Sequence, residues 1–188
     1  TMKQTIIAVI CFLCVSSLYI QAQKINHPSL LYTPQRIQQV KQRMQHEPKL
    51  QEAWGDIKRT ADEALQKKDF NRLDYLSLAY LMTDNKEYAD VIKEILLKTV
   101  EAESWGDVEM MARIPAWRSQ LGMAHKSFLS AVGYDAAYNV MSSSERKKIA
   151  EGLKRLAVEP ALGDWLLEPT RIHSLNSMGH NWWTSCVC

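Results

Sequence analysis

Apolar positions in this 188-residue chain recur every three or four residues over most of its length, so the sequence predicts helix after helix with almost no strand. Thr33 followed by Pro34 gives a helix cap and a proline at the first helical position, after which Ile37, Val40 and Met44 share one face. Glu47-Pro48 interrupts, and a second helix carries Leu50, Trp54, Ile57, Ala61 and Leu65 at the same spacing. Leu73 to Met82 is apolar nearly all round, the pattern of a helix buried among others. Thr83-Asp84-Asn85 turns the chain, and Tyr88, Val91, Ile92, Ile95 and Leu96 form the next stripe. A less regular stretch from Glu103 to Pro115 precedes a long helix over 118–141, with Leu121, Ala124, Phe128, Leu129, Val132, Ala136 and Val140 directed inward. Ser142-Ser143-Ser144-Glu145 supplies cap residues, and Ile149, Leu153 and Leu156 carry the last helix to Glu159-Pro160.

A weak internal echo joins two of these segments. Ala79-Tyr80, a turn and Val91-Ile92 resemble Ala137-Tyr138, a turn and Ile149-Ala150, with Ala79 and Ala137 lying 58 residues apart. That is the length of a helical hairpin with its connection, and it is too long for tetratricopeptide stacking, which repeats at about 34 residues. The expected fold is all-α: stacked αα-hairpins forming part of an incomplete (α/α) toroid, since a closed ring needs more hairpins than this chain supplies.

The ends differ from this middle. After Lys3, the uncharged run Ile6 to Ile20 has the length of a signal-peptide core and is short for a bilayer span, and Ala22 offers a small residue at the cleavage position. Residues 1–22 are expected to be a cleaved signal peptide, leaving 23–188 as one domain in the periplasm or outside the cell, with no stable membrane insertion. The net charge is only +2, and the leader contributes Lys3 alone, so the remainder is close to neutral and lacks the basic excess of a nucleic-acid binder. Two of the four cysteines fall in the leader. Cys186 and Cys188 form no disulfide framework, and two residues apart on a helix they cannot both ligate one ion, so neither metal nor cofactor is expected.

From Leu166 the pattern turns polar and non-periodic: Glu168-Pro169-Thr170-Arg171-Ile172-His173-Ser174-Leu175-Asn176-Ser177-Met178-Gly179, then His180-Asn181-Trp182-Trp183. Functional groups concentrate on such loops. If Asn181 caps a following helix, free backbone N–H groups and the positive dipole end favour an anion there, and a carboxylate suits them.

The opening His27-Pro28-Ser29-Leu30-Leu31-Tyr32-Thr33-Pro34, the hairpins and Gly179-His180-Asn181-Trp182-Trp183 together resemble the N-terminal α/α-toroid part of heparinase II/III-like and alginate-lyase-like polysaccharide lyases. The resemblance implies β-elimination at a uronic acid in a polysaccharide such as a glycosaminoglycan or alginate. In that chemistry an amide or imidazole neutralises the sugar carboxylate while a base removes the adjacent proton and an acid protonates the leaving oxygen. It gives Asn181 the neutralising role with His180 beside it. Trp182 or Trp183 offers a flat indole to a sugar face, and His173, Arg171 and Asn176 are the remaining substrate contacts. The family's base tyrosine and its β-sandwich groups belong to later parts of the chain, so no tyrosine is carried over.

Other residues read as structural. His27, His46 and His125 are surface or hydrogen-bonded histidines, and Tyr75, Tyr80, Tyr88, Tyr134 and Tyr138 fall on packing stripes. Trp105, Trp117 and Trp165 lie near helix ends, where a toroid's rim forms and a sugar subsite is an option. A toroid glycoside hydrolase is the alternative enzyme, with Asp164 and Glu168 as its carboxyl pair. A non-catalytic glycan-binding helical protein is the alternative without chemistry.

Overall fold

The computed structural model describes residues 25–114 and 116–167. Among these the chain is helical and contains no strand. Its main helices are α1 (Pro34–Met44), α2 (Pro48–Lys67), α3 (Leu73–Thr83), α4 (Lys86–Thr99), the single turn α5 (Val108–Met111), α6 (Leu121–Ala137) and α7 (Ser143–Leu153). None is long and apolar enough to cross a membrane. The leader expected at 1–22 lies outside the described residues.

Local chemistry sets the boundaries. Thr33 Oγ1 accepts the Arg36 N–H at 3.3 Å with Pro34 at the first helical position, as expected. Asp84 closes α3 in the left-handed region (φ 57), and Asn85 then caps α4 by accepting the Glu87 N–H at 3.0 Å. Ser142 and Glu145 form a complete capping box: Ser142 Oγ accepts the Glu145 N–H, and Glu145 accepts the Ser142 N–H at 2.7 Å. The irregular stretch after Glu103 contains only the short turn α5, capped by Asp107.

Helix α3 is the centre. It packs against α2, α4 and α6, and Leu73, Leu76 and Ala79 are fully buried there. Ile92 and Leu96 of α4, Met123 of α6 and Ile149 of α7 complete the core, each large apolar side chain contributing about 1.5–3 kcal/mol by leaving water. The two segments of the internal echo are the hairpins α3/α4 and α6/α7, and they meet through α6.

Two expectations about the second half are corrected. Helix α6 begins at Leu121 rather than 118, because the backbone of Arg118 and Ser119 is held by Asp164 instead. Its inward face is also only partly as expected: Ala124, Leu129, Val132 and Ala136 are buried, but Leu121 is 47% exposed, Phe128 42% and Val140 37%, while Met123, Ser127, Ser130 and Gly133 are buried as well. At Gly133 the α6 backbone lies close to its neighbours, and a methyl there would touch Ile92 Cγ2 at 3.3 Å.

The last helix also runs past Pro160. From Leu153 it continues through a π-helical segment Lys154–Val158, the α turn Glu159–Leu162 and a second π segment Gly163–Leu167. A proline removes an N–H and crowds the preceding turn. Here it stands in the first turn after a widened segment, where the helix tolerates it. Within α7, Gly152 faces α4 so closely that a methyl group would lie 2.7 Å from Val100 Cγ1. Gly152→Ala should therefore lower unfolding free energy by about 1–3 kcal/mol through overpacking, despite alanine's better helix propensity. Urea denaturation of the variant checks this, and an unchanged or raised midpoint would contradict it.

Candidate functional site

The residues that the sequence singles out for chemistry, Asn181 and His180 with Trp182, Trp183, His173, Arg171 and Asn176, lie outside the described residues, as do Glu168, Cys186 and Cys188. What the structure does describe is the scaffold that leads into this stretch.

The anchor at its threshold is Asp164, which is fully buried. Its Oδ2 accepts the backbone N–H groups of Arg118 and Ser119, both at 2.7 Å, and the Ser119 hydroxyl at 3.0 Å. Its Oδ1 accepts Arg118 Nε at 3.2 Å. A carboxylate with both oxygens engaged by four donors, away from water, is a structural brace. The carboxylate is shut off from solvent and committed to bonds within the chain, which weighs against Asp164 as one half of a hydrolase carboxyl pair.

A second buried carboxylate ties down the other end of the described chain. Asp135 of α6 is 3% exposed. It accepts the backbone N–H groups of Ser29 and Leu30 through Oδ2, both at 2.8 Å, and lies 2.5 Å from His27 Nδ1 through Oδ1. The His27 ring stacks on Tyr138, with centroids 3.8 Å apart, and Asn139 Nδ2 donates to the His27 carbonyl at 2.8 Å. The Arg146 guanidinium also lies over the Tyr138 ring, 4.7 Å from its centroid. His27 is structural, as expected, and the His27-to-Leu31 opening is a strap across α6. His46 is exposed in the turn after α1, and His125 is exposed on α6.

Four of the tyrosines hold their protons more tightly than usual. Burial, with the nearby Asp74 carboxylate, pushes Tyr32 up to about 12. Burial likewise raises Tyr80, Tyr134 and Tyr88, the last also donating its hydroxyl to Asp62. All four keep their protons at neutral pH. Trp105 is 4% exposed and donates Nε1 to the Thr99 carbonyl, so it belongs to the core and presents no sugar platform. Trp117 donates to the Ser119 carbonyl, completing the Asp164 brace. The Trp165 side chain lies outside the described residues.

A cleft of about 420 Å³ opens where the α2–α3 connection, the end of α4 and the first half of α6 converge. Phe70, Ile95, Ala102 and Trp105 supply apolar walls, and Lys68, Lys98 and Lys126 surround them with Glu94 as the one acid. Lys68 ends α2 in the left-handed region (φ 50) and reaches Glu94 at 2.7 Å. Among the described residues, Lys98 and Lys126 have no ion pair and no side-chain hydrogen bond. The carbonyls that would oppose a cation at the end of α4 are occupied on the far side, where Arg155 donates to those of Val100, Ala102 and Glu103 at 2.9–3.1 Å. Sequence reading missed this cleft because its lysines come from three separate segments with no shared motif. The chain matches no protein-family model, and no curated protein matches it.

Proposed function

We propose that this chain is the helical, toroid-forming portion of an exported polysaccharide lyase that cleaves a uronate-containing polymer, such as a glycosaminoglycan or alginate, by β-elimination. Asn181, helped by His180, hydrogen-bonds the sugar carboxylate and drains charge from it, which acidifies the neighbouring C–H bond. Loss of that proton and departure of the glycosidic oxygen leave a carbon–carbon double bond, and no water is consumed. Trp182 or Trp183 stacks on a sugar ring, and His173, Arg171 and Asn176 hold the polymer's acidic groups.

The resemblance of the opening segment and of Gly179-His180-Asn181-Trp182-Trp183 to lyases motivates this reading. The observation that carries it over the hydrolase alternative is the engagement of Asp164: hydrolysis needs two available carboxyl groups, and this one is fully buried and held by four donors. The same brace is compatible with the lyase reading, since it fixes the backbone four residues before Glu168, where the polar stretch opens.

Full-length protein incubated with uronate polymers should generate ultraviolet absorbance from an unsaturated uronyl product, and none with a neutral glucan of similar length. Depolymerisation without that absorbance would mean hydrolysis. Retention of polymer with no product at all would mean a binding protein, and either result overturns the proposal.

A further inference from the structure

The cleft beside Trp105 has a composition that a sugar site lacks. Sugar recognition requires exposed aromatic faces, but here the indole is embedded with its N–H used by Thr99, and the apolar walls are Phe70, Ile95 and Ala102, with Thr99 and Ser104 beside them. Around these walls the charge is one-sided. Lys68 is neutralised by Glu94 and Lys98 acts on Glu101 only through space, so neither Lys98 nor Lys126 is held in a close ion pair among the described residues. Its volume, about 420 Å³, falls within the roughly 300–1,000 Å³ typical of small-molecule pockets, which are mostly apolar with a few fixed polar groups.

We propose that this cleft binds a small amphipathic anion: an aryl or alkyl body seated against Phe70, Ile95, Ala102 and Trp105, with a single carboxylate, sulfonate or phosphate head held by Lys98 and Lys126. The two ammonium groups approach from different helices, α4 and α6, so one head group between them ties the hairpins together and binding stabilises the fold. Lys68 contributes indirectly, by keeping the Glu94 carboxylate from repelling the head. None of the cleft's lining residues belongs to the proposed lyase set, and the proposal does not depend on that reading.

Anilinonaphthalene sulfonate is a suitable probe, with the neutral phenylnaphthylamine as its uncharged counterpart. Isothermal titration should show the sulfonate binding with about one equivalent of tight sites, and amide resonances of Ala102 and Ser104 should shift on titration. Lys98→Gln with Lys126→Gln should weaken the sulfonate about tenfold while leaving phenylnaphthylamine unchanged, as expected for two partly exposed charge contacts near the upper end of their usual contribution. Both lysines lie on helix surfaces, so the double variant should fold, which its thermal midpoint verifies. Lys68→Gly provides an independent arm. It relieves the left-handed backbone strain, so the fold should be as stable or more so, yet sulfonate binding should fall because Glu94 is freed. Equal affinity of the two dyes, no effect of the lysine changes, or shifts confined to residues outside the cleft would overturn the proposal. So would displacement of the sulfonate by a uronate oligosaccharide, which would make the cleft a sugar subsite.

Discussion

Replacing Asp135 with alanine should free the strap formed by residues 27–31 from α6 and cost about 3 kcal/mol of local stability. Its carboxylate is the acceptor for the Ser29 and Leu30 N–H groups and the partner of His27, almost entirely out of water. Hydrogen bonds to a charged acceptor contribute about 1.5–3 kcal/mol each, and a donor stranded in a buried position costs a similar amount. The strap has an escape that a core segment lacks: it can lift and rehydrate its donors, so the loss should not reach the sum of the individual bonds. Hydrogen exchange resolves the effect residue by residue. The Ser29 and Leu30 amides should exchange about a hundredfold faster in Asp135→Ala, while the Leu76 and Ile92 amides in the core change little. Asp135→Asn should fall between, because its amide can accept through one oxygen but turns a donor toward one of the strap's N–H groups. Unchanged protection at Ser29 and Leu30 would show that the stack of His27 on Tyr138 and the Asn139 bond hold the strap alone.

Asn181→Ala should reduce turnover of a uronate polymer by about 10²–10³-fold, the usual effect of deleting one donor aimed at charge that develops in the transition state. The effect should appear in kcat more than in KM, because carboxylate neutralisation strengthens as the adjacent C–H bond breaks. Asn181→Asp gives a sharper version. It keeps the shape, exchanges a donor for a negative charge, and should be at least as damaging as alanine. His180→Ala should be milder if histidine only assists the amide. An Asn181→Ala enzyme with unchanged kcat would remove Asn181 from the mechanism.

The helices were legible wherever amphipathic periodicity coincided with a terminal signal. Thr33-Pro34, Glu47-Pro48, Thr83-Asp84-Asn85 and the Ser142 to Glu145 box each mark an observed boundary. On α6, apolarity places Ala124, Leu129, Val132 and Ala136 correctly in the interior but overstates burial at Leu121 and Phe128, which turn outward. Polar and small residues the apolar pattern passes over, Ser127, Ser130 and Gly133, share the buried surface. The two buried carboxylates were illegible for another reason: Asp135 finds Ser29 across 106 residues and Asp164 finds Arg118 across 46, and no local pattern announces such pairings. Asp164, which in sequence reads as hydrolase chemistry, is a fully buried brace for the backbone of Arg118 and Ser119. The seven residues proposed for uronate recognition rest on sequence alone.

The mass balance of cleavage tests the elimination chemistry most directly. A uronate oligosaccharide of defined length, treated with full-length protein, should give two products whose masses add up to that of the substrate, one of them carrying the new double bond. Products whose summed mass exceeds the substrate by one water would contradict the account and return the site to a pair of carboxylic acids still to be found.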